Sequence, residues 1–305
     1  SKWTLRIKPM SNQRFPIFIP SKGRYNSLMT ATCLESMNMD YFLVVEPQEH
    51  DLYAENLEKN GFNKNRIILL DMNCKNHYDY CDNEGLTKTT GSGPARNFIW
   101  EKAIEMGSDY HWIMDDNIRT FKILNNNEKV RCKNGKIFTA MEDFTLRYKN
   151  VYMSGPHYTF FHPARIKKPP FFLNSRIYSC NFIKNDIPFR WRGRYNEDTI
   201  LSLDILHKGY CTILFNMFLQ EKMTTMTVKG GNEDLYTQGS YSKSMLEKSN
   251  MLVKQYPQYA KLTRKYDRWH HHVDYKVFEK NKLVRKYEKK KIQKTVDFTL
   301  KRKKA

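Results

Sequence analysis

The chain has no Cys-x-x-Cys pair. Its six cysteines (Cys33, Cys74, Cys81, Cys132, Cys180 and Cys211) are scattered over 305 residues, which argues against a zinc ribbon and, at this size, against a disulfide framework. Reduced thiols in a cytoplasmic protein are the expectation. No apolar run approaches the roughly 18 residues needed to span a bilayer, and Ser1-Lys2-Trp3-Thr4-Leu5-Arg6 carries no signal-peptide core. Neither a membrane span nor a secretory route is therefore expected. Acidic side chains are short in supply, 32 against 52 basic ones, a net charge of +20. Such an excess points to a polyanionic partner, nucleic acid or an anionic surface. With 40% apolar and 14% aromatic residues the chain can bury a large core, so extensive disorder is excluded. One large α/β unit with a small appended piece fits the length.

The first third alternates strand and helix. Short apolar runs at 15–19, 41–45, 66–70 and 110–114 predict strands. Between them, Leu28, Ala31, Leu34 and Met37 form a helical stripe that Asn26 or Ser27 can cap, residues 52–59 are helical, and Pro94 opens a helix that Gly107 closes. Successive βα units imply a largely parallel sheet with helices on both faces, and ligands bind such sheets at the carboxyl ends of the strands. Ser21, Glu46, Asp71 and Asp115 all fall there. Farther along, Asn134-Gly135 reads as a hairpin turn, 140–153 and 197–207 as helices, and 158–161, 177–182 and 210–219 as strands. Gly230-Gly231-Asn232 and Gly239-Ser240 mark a polar stretch. The last thirty residues hold thirteen basic and three acidic side chains, half of the net charge, and read as a tail.

Chemistry concentrates in a few motifs. Asp115-Asp116-Asn117 follows the apolar strand directly, and two carboxylates at a buried strand end repel unless a cation or protons compensate. Divalent Mg or Mn suits such a pair, while turn capping is the alternative. Gly91-Ser92-Gly93-Pro94-Ala95-Arg96 places backbone N–H groups and a guanidinium at a helix start, as an anion site would, though helix initiation alone needs no more. Neither a Walker A loop nor a dinucleotide fingerprint is present. Pro20-Ser21-Lys22-Gly23-Arg24 is a second basic strand-to-helix turn. Glu197 and Asp198 open a helix, either as electrostatic caps or as a general base. Arg190, Trp191, Arg192 and Arg194 interleave cations with aromatics, which suits phosphates and unstacked bases; diphosphate binding or loop packing is the other reading.

Taken in order, Pro20 to Arg24, Glu46, Asp71, Gly93 to Asn97 and Trp112 to Asn117 resemble the nucleotide-sugar half of GT-A glycosyltransferases. Within that fold the chain is most similar to phage-encoded glycosyltransferases that accompany TET-type dioxygenases, through Arg194 to Thr199, Gly230-Gly231-Asn232, Trp269 to Tyr275 and the basic charge. The resemblance implies an α/β GT-A domain over 1–275, with a nucleotide-sugar half at 14–117, an acceptor half at 118–275 and a basic tail at 276–305. It implies a UDP-sugar donor, Mn²⁺ or Mg²⁺ as cofactor, and transfer of a hexose to 5-hydroxymethylcytosine or another 5-hydroxymethylpyrimidine in double-stranded DNA. Ser21, Arg24, Glu46, Asp71, Arg96 and Asp115 would hold the donor. Asp115 and Asp116 would hold the metal with a late histidine, His271 being the candidate and His270 and His272 its alternatives. Asn117 departs from the last acid of the family's D-x-D motif. Asp198 would be the base, beside Glu197, and Arg190, Trp191, Arg192 and Arg194 would meet DNA. A monomer acting in the cytoplasm, that of the host if phage-encoded, completes the expectation.

Overall fold

A computed structural model describes residues 13–163, 168–223, 241–265 and 268–287. Gly230-Gly231-Asn232, Gly239-Ser240 and the chain beyond Tyr287 lie outside the described residues. Among these residues twelve strands and six longer helices follow in the order β1 (Ile17–Pro20), α1 (Met29–Ser36), β2 (Phe42–Val45), α2 (His50–Lys59), β3 (Ile67–Leu69), α3 (Gly93–Glu105), β4 (Tyr110–Met114), β5 (Ile118–Asn125), β6 (Glu128–Arg131) and α4 (Lys136–Thr145). There follow β7 (Val151–Tyr158), β8 (Phe171–Leu173), β9 (Cys180–Lys184), α5 (Glu197–His207), β10 (Cys211–Lys222), α6 (Tyr241–Gln255), β11 (Ala260–Lys265) and β12 (Arg268–Val273). The central sheet runs β3-β2-β1-β4-β9-β7-β10-β5-β6, with β8 paired to β10. β3, β2, β1 and β4 are parallel; β9 is antiparallel to β4, so the sheet as a whole is mixed.

Strand alternation sends side chains to two cores. Ile17, Ile19, Leu43, Val45, Trp112 and Met114 face α1, α2 and α4, through Leu34, Leu57 and Phe138. Phe18, Val44 and Ile113 face the other way, onto Ile99 and Trp100 of α3 and Leu201 and Ile205 of α5. Helix α5 is apolar on two faces because its far side, Ile200, Leu203 and Leu206, is covered in turn by Leu252, Tyr256 and Phe278. Helices on both faces are as the sequence implies; the largely parallel pattern of the βα units holds for β3-β2-β1-β4, and the antiparallel β9, β5 and β6 make the whole sheet mixed. Among the described residues no helix is long and apolar enough to cross a membrane.

Several local expectations are corrected. The hairpin turn is Asn126-Asn127, between β5 and β6, with both residues left-handed (φ 47° and 66°). Asn134 instead lies just ahead of α4, whose N-cap is Gly135, its Oδ1 accepting the Lys136 amide at 3.0 Å. Residues 140–153 are not one helix: α4 stops at Thr145 and β7 begins at Val151. Helix α1 has no side-chain cap from Asn26 or Ser27; its N-cap is Leu28. The strand expected at 158–161 is the end of β7 followed by a 3₁₀ turn, and the strand expected at 177–182 begins at Cys180. The segment after Tyr275 is not a free tail at its start. Phe278 is buried, and Asn281 Nδ2 donates to the carbonyls of Leu206 (2.8 Å) and Tyr210 (3.0 Å) at the end of α5. Arg285 then bridges to Tyr148.

Candidate active site

The carboxyl ends of β1, β2 and β4 open into one cleft of about 340 Å³. Its floor is the turn after β4. Thr30 of α1 pins that turn, its Oγ1 donating to the Asp115 carbonyl (2.6 Å) and accepting the Ile118 amide (2.9 Å), while the Asp115 amide reaches the Ser179 carbonyl at 2.7 Å. The two aspartates are thereby fixed on the seam between the parallel strands and β9.

Neither aspartate stands alone. Arg96 Nη2 donates to Asp115 Oδ1 and Lys222 Nζ to Asp115 Oδ2, both at 2.6 Å. Arg24 Nη1 pairs with Asp116 Oδ1, and Ser21 Oγ donates to Asp116 Oδ2 at 2.6 Å. Burial would raise the Asp115 carboxyl, but Lys222 and Arg96 overcome it and hold it near 2. For Asp116 burial wins, and its carboxyl sits above the usual range although Arg24 opposes this. Lys222 stays strongly protonated: burial disfavours its charge, and Asp115 more than restores it.

The expected metal site does not fit this donor set. All four oxygens of Asp115 and Asp116 already accept from a cation or a hydroxyl, and three of those donors carry the positive charge an ion would supply. His271 lies on β12, opposite Leu262, and is not among the residues lining the cleft. Burial, with Lys248 and Arg176 nearby, keeps its imidazole neutral down to about 4. Among the described residues no three His, Cys, Asp or Glu side chains converge as a metal cage.

Across the cleft, Glu197 and Asp198 open α5 after the left-handed Asn196 (φ 57°), whose Nδ2 donates to the Lys248 carbonyl. Ser92 Oγ donates to Glu197 Oε1 at 3.0 Å, and burial raises the Glu197 carboxyl, with Arg96 opposing and Asp198 adding to the rise. Asp198 Oδ1 accepts the Thr199 amide at 2.7 Å and lines the cleft. Arg176 lines it too, stacked 4.4 Å over Tyr178; burial works against its charge, and Asp198 sustains it.

The structure therefore brings together Ser21, Arg24, Glu46, Arg96, Asp115, Asp116, Glu197 and Asp198. Glu46 is held by Lys75 Nζ (2.6 Å) and Gln48 Nε2 (2.6 Å). Asp71 is not in the lining. It is exposed and caps the next turn, its Oδ1 accepting the Asn73 amide at 2.9 Å.

The expected DNA-contacting run is corrected at Trp191 and Arg194. Trp191 and Arg194 are each 1% exposed. Trp191 lies under the Arg96 guanidinium, and Arg194 is spent on Asp82 and the carbonyls of Gly85, Lys88 and Thr89. Arg192 forks onto Asp204, and Arg190 pairs with Glu101. Their forks match protein acceptors, which the interleaved pattern could not reveal.

Sequence reasoning missed Lys222, Arg176, Ser179 and Tyr158. Lys222 is 107 positions from Asp115 and arrives only because β10 outlasts β7 and continues against β5, with Lys222 opposite Ile118. No local signal marks it.

Compared with known proteins, the chain has no match among curated ones. Residues 15–231, more than two thirds of its length, match the profile of the TET-associated glycosyltransferases. That span holds β1 to β10 and every acid and cation of the cleft named above except Lys248. With so much of the chain covered, this protein belongs to the TET-associated glycosyltransferase family and is a sugar-transferring enzyme.

Proposed function

We propose that the enzyme moves a hexose from a UDP-sugar to the hydroxyl of a 5-hydroxymethylpyrimidine, 5-hydroxymethylcytosine above all, in double-stranded DNA. The observation that carries this reading is that one cleft gathers three cations, Arg24, Arg96 and Lys222, fixed by Asp115 and Asp116, together with two further carboxylates, Glu197 and Asp198, at the start of α5. The cations suit a diphosphate and the further carboxylates an acceptor hydroxyl. Glu46, at the end of β2, is placed for the nucleoside end. In an inverting transfer Asp198 takes the acceptor proton while the acceptor oxygen bonds to the anomeric carbon and the diphosphate leaves. In a retaining one Asp198 orients the acceptor.

For DNA as acceptor the support is the charge of +20 and the family's association with TET enzymes. The buried Trp191 and Arg194 give it none. The test is incubation of modified duplex DNA with a panel of UDP-sugars, followed by digestion and weighing of the nucleosides. A gain of one hexose on the modified base is expected, and Asp198→Asn should reduce it by about 100-fold or more while leaving UDP affinity unchanged. Unmodified nucleosides alongside sugar on protein or glycan acceptors would sink the DNA reading.

A further inference from the structure

We propose that Arg96 and Lys222 take the place of a divalent cation at the leaving diphosphate, and that Asp115 and Asp116 are positioning residues that aim the cleft's cations. The inference rests on the donor half of the reading above and not on the acceptor.

Three observations carry it. First, every oxygen of the two aspartates is engaged by Arg96, Lys222, Arg24 or Ser21, so an entering dication would meet three fixed cations around the ligands it needs. Second, Arg96 keeps one hand open. Its Nη2 is spent on Asp115 and its Nε on Ser92 Oγ, but Nη1 is buried without a hydrogen-bond partner among the described residues. A buried guanidinium N–H left unmatched is costly, and a diphosphate oxygen in the cleft would match it. Third, Lys222 Nζ is held at 2.6 Å from Asp115 Oδ2 and 3.0 Å from Ser179 Oγ, which leaves one of three ammonium hydrogens for a ligand. Lys222 is preorganised and meets the charge that appears on the diphosphate without rearrangement, while Arg96, which lines the same cleft, brings its unmatched Nη1 to the ligand by a turn of the guanidinium.

The step balances without a further reactant. The anomeric carbon–oxygen bond breaks with its electron pair going to the diphosphate, where Arg96 and Lys222 receive the charge. The acceptor oxygen forms the new bond, and its proton passes to Asp198 or, through a retaining route, to solvent.

The experiment titrates the full chain with UDP and with inorganic pyrophosphate, by calorimetry, in EDTA and again in MnCl₂. Affinity for both should agree within about twofold between the two buffers, and hydrolysis of a UDP-sugar in EDTA should match that in manganese. Lys222→Ala should weaken both ligands by about 30-fold, as loss of a charged hydrogen bond does, with Lys222→Arg recovering most of it at an unchanged melting temperature. Binding or hydrolysis that falls by tenfold in EDTA and returns with manganese overturns the proposal. So does the absence of binding in both buffers, or a Lys222→Ala chain that folds and binds normally. Failure of the acceptor reading looks different: UDP binds without metal, and no sugar reaches DNA.

Discussion

His111 is a residue whose chemistry is settled by its surroundings. Asn185 Nδ2 donates to the Ser108 carbonyl, so its Oδ1 faces His111 and accepts from Nδ1–H at 2.5 Å. Burial holds the imidazole neutral down to about 4, with Arg190 contributing. An unfolded histidine titrates near 6.5, so the unfolded chain binds the proton first. Stability is therefore intact above about pH 6.5 and falls by ~3 kcal/mol as pH drops toward 4. His157 points the same way: burial lowers its pKa, and its Nδ1 accepts from the Tyr158 amide, a bond that protonation there would break. Melting temperatures across this window should fall with acid, and less steeply in His111→Gln, which still donates to Asn185 but does not titrate. An identical acid profile in the variant would remove His111 from the account. The acids of the cleft were legible in the sequence because each sits at the end of an apolar strand or the start of a helix. Their partners were not. Nothing near Lys222, Arg176 or Ser179 in the chain distinguishes them from other polar residues; only strand register does.

Strands and helices were legible wherever one period held. Helix α5 and strand β4 begin and end where the sequence places them, since a strand buried on both faces reads as a continuous apolar run bounded by polar residues. The β5–β6 hairpin was not legible, because the three consecutive asparagines Asn125 to Asn127 were a weaker sign than Asn134-Gly135. Both Asn126 and Asn127 are exposed and left-handed, a conformation that costs other residues about 1–2 kcal/mol. Asn127→Ala should accordingly lower the unfolding free energy by ~1 kcal/mol, and Asn127→Gly should hold or raise it, as read from urea midpoints at unchanged slope. Equal midpoints for the two variants would mean that the turn is not under conformational demand. The hairpin matters to the cleft through β5, whose other edge aligns β10 and Lys222.

At the scale of the whole chain, the C-terminal charge divides at about Tyr287. Residues 276–287 are part of the body: Phe278 fills the cluster behind α5, Asn281 caps its last carbonyls, and Val284 and Lys286 bond to Lys149 and Arg147. A chain ending at Tyr275 should melt well below the full protein, since removing one buried phenylalanine alone costs about 3–5 kcal/mol. A chain ending at Tyr287 should melt normally and bind DNA with a shallower salt dependence, each lost phosphate contact reducing the log–log slope by about 0.9. Equal melting of the two truncations would detach 276–287 from the body, and an unchanged slope would detach residues after 287 from DNA.

Among the described residues the cleft lining carries seven cationic side chains against five carboxylates. Emptied, it keeps an uncancelled positive field in a partly buried place, and spent UDP is the species that quenches it best. The enzyme should therefore let go of its by-product slowly, turnover should rise when a phosphatase clears UDP from solution, and added UDP should act as a strong competitor of the donor.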